Sequence, residues 1–270
     1  MGRCIAPWQK QHEGETLDLP CGKCYECRQN RVNGWSFRLS KELEQSTTAF
    51  FITLTYEIPP MTKNGFMTID KTHVQKFFKR LRKKHDETKG KIKYYAVGEY
   101  GSETNRPHYH IILFNSDIDS ISNAWKLGHV HSGEVNESSV RYTLKYVCKP
   151  TKIPMHQRDD RKKEFSLMSK RMGSNYMTET MIKWHRKDLL NRMYVPLKGG
   201  YKIAMPRYYK DKIYDEYERN IIGEWISEQE YEKNSLLSYD EWEKKKIETE
   251  KTHRSKQKRA NKKDHRLTKI

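Results

Sequence analysis

Apolar and polar positions along the chain follow a period of two in some blocks and about 3.6 in others, and the order of these blocks predicts the architecture. AFFITLTYE, residues 49–57, is a continuous apolar and β-branched run and predicts a buried strand. Asp70 then predicts a helix start, with Val74, Phe77, Phe78 and Leu81 on one stripe and basic residues opposite. IKYYAVGEYG (92–101) and RPHYHIILF (106–114) are β-rich segments joined by the short, glycine-containing connection from Gly101 to Arg106, which predicts an antiparallel hairpin. The run 111–114 suits burial on both faces and places the second strand centrally. A short helix ending near Gly128, a polar strand over 129–135 and a helix in SVRYTLKYVCKP (139–150) follow. Ser138 or Ser139 is the candidate cap of that last helix and Pro150 its stop. Strand, helix, two strands, helix, strand, helix is an α+β order: a central antiparallel β-sheet flanked by helices.

Outside this block the pattern is looser. Residues 1–27 form a cysteine-bearing arm and 28–46 predict a helix carrying Arg28, Arg31, Trp35, Phe37 and Arg38, either a DNA-facing surface or amphipathic packing. KPTKIPMHQRDDRKKEF (149–165) has the composition of a polar linker, 177–193 predicts a helix, and the Gly-Gly pair in YVPLKGGYKIAMPRYY (194–209) predicts a turn between short strands. Charged helices are expected over 207–250, and from Lys244 onward a flexible or marginally helical basic tail suited to gripping phosphates. The expected divisions are 1–48 (cysteine-rich arm and basic helix), 49–150 (core), 151–215 (accessory extension) and 216–270 (charged helix and tail).

The central strand carries the first candidate chemistry. Side chains two apart on a strand share a face, so His108 and His110 stand side by side, and the hairpin brings Glu99 near them. Two imidazoles and a carboxylate hold a catalytic divalent ion while leaving coordination positions open for a substrate oxygen. The spacing alone also fits a pair of exposed strand-edge histidines. A second H-x-H, His129 and His131 in GHVHSGEV, lacks the apolar continuation and an evident partner strand, and reads as a polar strand beside a loop. On the helix that follows, Val140, Thr143, Leu144 and Val147 share one face, while Tyr142, Lys145, Tyr146 and Lys149 share the other. That second face is either a solvated Tyr/Lys surface or a nucleophile pair beside phosphate-binding ammonium groups. A phenol with a pKa near about 10 becomes an effective nucleophile where a cation favours its anion. Attack on a phosphodiester would leave a phosphotyrosine bond and conserve the energy of the broken link.

Composition narrows the partner. Lys and Arg number 53 against 35 Asp and Glu, a net charge of +18 that draws the chain to polyanions, and seventeen tyrosines and six tryptophans offer stacking surfaces for unpaired bases. A mean hydropathy of −1.03 implies a modest core, and no apolar run approaches a membrane span. MGRCIAPWQK is not a signal peptide, so a soluble cytoplasmic protein is expected. Cys21, Cys24 and Cys27 form C-x-x-C-x-x-C, with Cys4 able to supply a fourth thiolate to a structural zinc site. Reduced free thiols are the alternative, and an iron–sulfur cluster is disfavoured because Arg31 stands where the next local cysteine would fall. Cys148 reads as a small packing residue. Gly22-Lys23 is followed by Cys24 with no properly spaced earlier glycine, so there is no Walker pattern and no nucleotide cofactor is expected.

The order of FITLTY (51–56), H-Y-H (108–110) and a doubled Y-x-x-K (142–149) resembles the HUH endonucleases that start rolling-circle replication. CGKCYECRQNRVNGWSFRL, GEYG…RPHYHIILF, FSLMSKRMG and MPRYYKDKIY are similar to the replication-associated proteins of microviruses, the gokushovirus branch in particular, over residues 3–215 or so. The resemblance implies that His108, His110 and Glu99 bind Mg²⁺ or Mn²⁺, and that Tyr142 and Tyr146 act as alternating nucleophiles with Lys145 and Lys149 beside them. It implies single-stranded origin DNA as substrate, a 5′-phosphotyrosyl link, a bacterial host, and host helicase and polymerase as partners. Arg28, Arg31, Arg38 and Arg106 are the candidate DNA contacts. An HUH-class transposase, or a non-enzymatic basic DNA-binding or packaging protein, remains an alternative.

Overall fold

The computed structural model describes residues 4, 6–12, 14–101, 103–136, 139–140, 142–144, 153–197 and 199–267. They form two compact units, one over 35–175 and the other combining 1–34 with 176–270. No helix among the described residues is long and apolar enough to cross a membrane.

The 35–175 unit has the expected α+β architecture, an antiparallel sheet flanked by helices. Strands β3 (Ala49–Thr55), β4 (Lys93–Tyr100), β5 (Pro107–Phe114), β6 (Val130–Glu134) and β7 (Phe165–Met168) form an antiparallel sheet in the order β6-β3-β5-β4-β7, with the histidine strand β5 at its centre as its apolar run predicts. One sheet face, with Ile52 and Leu54 of β3, Tyr109, Ile111 and Leu113 of β5, and Ala96 of β4, packs on helix α2 (Lys71–Lys83) and on α3 (Ile118–Ala124). Asp70 caps α2 by accepting from the Thr72 amide, and Val74, Phe77, Phe78 and Leu81 are its buried stripe, as the periodicity predicts. The opposite face is covered in part by the second half of α1 (Tyr25–Gln45): the Trp35 ring meets Tyr95 edge-on at 4.9 Å, and Glu42 pairs with Lys93 at 2.8 Å. A short helical stretch, α4 (residues 139–140 and 142–144), also lies on this face.

Three details differ from expectation. The cap of α4 is Asn136, whose side chain accepts from the Ser139 amide while the Ser139 hydroxyl accepts from the Asn136 amide, so Ser139 lies inside the first turn. The segment read as a polar linker is packed: Arg161 forks onto Asp159 through two bonds of 2.8 Å, both residues are buried, and the guanidinium lies over the Tyr100 ring. A paired, doubly bonded charge is stable in the interior where an isolated one is not. The second H-x-H segment does have a partner, since β6 pairs with β3 along its whole length.

Gly128 sets that pairing. Its φ of +149° is outside the range of ordinary side chains, and a Cβ there would be driven into the backbone of Thr55, Tyr56 and Glu57. Gly128→Ala is expected to destabilise the unit by about 3 kcal/mol or more, read as a lower denaturant midpoint with an unchanged slope.

The other unit holds the hairpin β1 (Trp8–His12) and β2 (Glu15–Leu19), the start of α1, helices α5 (Glu179–Arg186), α6 (Arg207–Ile213), α7 (Glu216–Ser235) and α8 (Tyr239–Leu267), and the ribbon β8 (Tyr194–Pro196) with β9 (Lys202–Ala204) around the predicted Gly-Gly turn. Its core is aromatic: buried His185 bonds the Arg192 carbonyl through Nδ1 and the Tyr176 hydroxyl through Nε2, beside Tyr209 and Tyr214. The tail expected to be flexible or marginally helical is helical, as part of α8 through Leu267. His253 of α8 is buried against Glu26 at 2.8 Å, and Lys256 reaches the same carboxylate at 3.3 Å, an anchor between distant parts of the sequence that composition does not reveal.

Candidate metal and nucleophile site

The β4–β5 hairpin builds the first part of the site. Its register sets Glu99 directly opposite His108, and the turn is closed by Gly101 donating to the Arg106 carbonyl and by Asn105 at φ +52°. One carboxylate oxygen, Glu99 Oε1, lies 2.9 Å from His108 Nε2 and 3.0 Å from His110 Nε2. Burial works against the charge on Glu99, but the hydrogen bonds and charges of the two histidines outweigh it and hold the carboxyl down at about 2.

The outer nitrogens fix the inner ones. His108 Nδ1 is 3.1 Å from the Arg106 carbonyl, which can only accept, so Nδ1 carries the proton and Nε2 presents a lone pair unless the ring is cationic. A cationic His108 donates through Nε2 to Glu99, whereas a neutral one presents a lone pair there that a metal ion could take up. His110 Nδ1 is held at 3.0 Å by the Thr53 hydroxyl, and the Phe51 ring stacks on its imidazole with centroids 5.7 Å apart. Such outer contacts orient metal ligands. The donor atoms lie within 4.8 Å of one another, and two imidazoles with a carboxylate suit Mg²⁺, Mn²⁺ or a similar divalent ion. Thr53 and Phe51 are neighbours of the candidate site that sequence reasoning missed; extending the alternation of β3 against β5 would have found them.

Tyr142 stands over this face. Its ring meets His110 edge-on at 5.0 Å and Phe51 at 6.1 Å, and the residue keeps 40% of its surface exposed, while Thr143 and Leu144 behind it are fully buried. The predicted split of this helix into an apolar and a tyrosine-bearing face holds for the residues described. Lys145, Tyr146, Cys148 and Lys149 lie outside the described residues. Of the candidate DNA contacts, Arg106 is exposed but donates to the Tyr56 and Glu57 carbonyls at 2.6 and 2.9 Å. Arg38 donates to the Met172 carbonyl and lies 4.1 Å over the Trp35 ring. Arg28 is half-buried, and Arg31 is exposed.

A second cluster sits where α1 begins. Cys4, Cys21, Cys24 and Cys27 bring their sulfurs within 4.8 Å of one another, and Cys24 approaches Cys4 at 4.0 Å. A tetrahedron with Zn–S of about 2.3 Å has sulfurs about 3.8 Å apart, so the arrangement is close to the required size. Backbone amides already face the sulfurs: Cys21 donates to Cys4 Sγ, and Lys23 and Cys24 donate to Cys21 Sγ. Burial opposes a Cys21 thiolate, yet these amides outweigh it and hold the thiol down at about 6, whereas burial pushes Cys27 up to about 12. Crowded sulfurs with converging amide donors fit a thiophilic cation.

Comparison with known proteins bears on the 35–175 unit first: residues 49–151 match the family model of replication-associated protein ORF2/G2P. The chain is 29% identical over 233 residues to replication-associated protein ORF2 of Spiroplasma virus 4, an alignment covering 78% of this chain and 72% of that protein. It is 26% identical over 231 residues to replication-associated protein VP4 of Bdellovibrio phage phiMH2K, covering 77% and 70%. It is 28% identical over 219 residues to replication-associated protein ORF4 of Chlamydia phage 1, covering 73% and 53%. No solved structure matches. The resemblance to microvirus replication-associated proteins read from the sequence is borne out.

Proposed function

The chain is a relative of the replication-associated proteins of small phages, and on that premise we propose that it nicks and rejoins single-stranded DNA at the viral origin to start and end rolling-circle replication. The observation that carries this reading is the single oxygen of Glu99 held between His108 and His110, with the half-exposed Tyr142 ring 5.0 Å from His110. A divalent cation held by these three residues would polarise the scissile phosphate and offset charge growing on its oxygens. Tyr142 supplies the attacking oxygen: a Tyr–O–P bond forms, the P–O3′ bond breaks, the phenol proton is released and the departing O3′ takes one up, leaving a free 3′-hydroxyl and a 5′-phosphotyrosyl link. Thr53 and the Arg106 carbonyl keep the imidazoles aimed while this happens. Tyr146 is the second nucleophile, able to cut the regenerated origin while Tyr142 still holds the old end, and Lys145 and Lys149 supply cationic charge to the phosphate. Zinc on Cys4, Cys21, Cys24 and Cys27 would organise the start of α1, and Arg28, Arg31, Arg38 and Arg106 are each candidate contacts to DNA. Duplex opening and synthesis fall to host helicase and polymerase in the bacterial cytoplasm.

The test is an adduct assay. Labelled single-stranded origin DNA incubated with the protein and Mn²⁺ or Mg²⁺ should give a denaturant-resistant protein–DNA adduct, absent with EDTA. Tyr142→Phe together with Tyr146→Phe should abolish it, and each single variant shows which phenol cuts first. Binding without any adduct under either metal would leave only a non-enzymatic DNA binder.

A further inference from the structure

The reading above leaves the second histidine pair, His129 and His131, without a role. The sheet register gives it one. Thr53 of β3 is opposite His110 on one side and His131 on the other, and Thr55 is opposite His108 while exchanging both backbone hydrogen bonds with His129. Residues opposite one another in antiparallel strands project from the same face. Two parallel rows therefore cross the sheet, His131–Thr53–His110 and His129–Thr55–His108–Glu99, so the second pair lies on the face of the metal triad, two strand spacings or about 9.6 Å from it.

The surroundings of the pair suit a phosphate. His129 and His131 are both exposed. Within the two rows, the Thr53 and Thr55 side chains stand between them and the triad. The next residue of β6 on this face, Gly133, has open space where a Cβ would be. The one carboxylate in the two rows is Glu99, which is buried and already taken by His108 and His110. Glu134 alternates to the opposite face, the side on which α3 with its Asp119 packs. Tyr142 contacts Phe51 and His110, so α4 lies over a neighbouring part of the face.

We propose that His129 and His131 bind the backbone phosphate flanking the scissile linkage, so that the nicked strand runs across the sheet from β4 over the Thr53 and Thr55 hydroxyls to the edge strand β6. This rests on the nicking reading for the position of the scissile phosphate. An imidazolium at the flanking site gives a phosphate oxygen a charge-assisted hydrogen bond.

The experiment is fluorescence anisotropy of a mixed-sequence 20-nucleotide single strand in EDTA, on a Tyr142→Phe, Tyr146→Phe background that cannot form the adduct. At pH 6 the His129→Gln, His131→Gln pair is expected to weaken binding several-fold and to make the slope of log affinity against log salt shallower by about 1. The His129→Lys, His131→Lys pair should bind at pH 8 more tightly than the histidine protein does, because each lysine brings an ammonium to the flanking phosphate. Unchanged affinity and slope in the Gln pair at pH 6, or no gain from the Lys pair at pH 8, overturns the proposal. The two readings fail separately: a Gln pair with normal affinity, in a protein whose tyrosines do form the adduct, rejects the flanking site alone. Absence of the adduct rejects nicking while leaving the binding change measurable.

Discussion

Glu99→Gln is expected to cut metal-supported adduct formation by on the order of 10³-fold, equivalent to about 4 kcal/mol of lost transition-state stabilisation, without unfolding the protein. The substitution keeps the size and shape of a side chain that is only 4% exposed, so the packing of β4 against β5 should survive. It removes the negative charge that balances a divalent ion. It also replaces one carboxylate oxygen by an amide nitrogen that can donate to a histidine Nε2, which lets the imidazoles be satisfied with no cation present. Calorimetric titration with Mn²⁺ should show the site lost, while thermal unfolding stays within a few degrees of the unaltered protein. Full adduct yield from Glu99→Gln would mean that the three side chains are a hydrogen-bonded cluster and that the cation, if any, sits elsewhere.

The second large effect is expected at the cysteines. Structural zinc contributes apparent binding energies of about 10 kcal/mol or more to small modules that have little core of their own. The described residues of the hairpin of β1 and β2 are mostly exposed, so zinc on the sulfur cluster would be a main restraint on it. Cys24→Ser with Cys27→Ser should therefore lose one bound zinc per chain by elemental analysis and open residues 6–24 to protease. The 35–175 unit, with its own apolar core, should still take up Mn²⁺ at Glu99, His108 and His110. Purified, reduced protein that contains no zinc and yet resists protease over 6–24 would refute the assignment.

Much of this was legible in the sequence because the relevant contacts are local or periodic. The alternation in RPHYHIILF put His108 and His110 on one face, and the short turn after Gly101 brought Glu99 to them. The stripe of Val74, Phe77, Phe78 and Leu81 needed only the helical period and a capping Asp70. What escaped was set by contacts between distant segments. Arg161 reads as one more linker charge until Asp159 and the Tyr100 ring are seen around it. His253 reads as tail until Glu26 is seen against it. Strand β7 is too short for its period to stand out, and it owes its place to pairing with β4. The first hairpin lies in a polar stretch whose one turn signal, Gly14, is weak by itself. The cap at Asn136 went unread because Ser138 and Ser139, equally good capping types, follow it.

That all three candidate metal donors, Glu99, His108 and His110, belong to one hairpin bears on how the molecule is made as well as on what it does. Only a small loop must close before Glu99 meets the two imidazoles, whereas β3, β6 and β7 join the sheet from far along the sequence. A divalent ion bound by these three residues would thus clasp the nascent ribbon early in folding and hold it in register as the template on which the outer strands assemble.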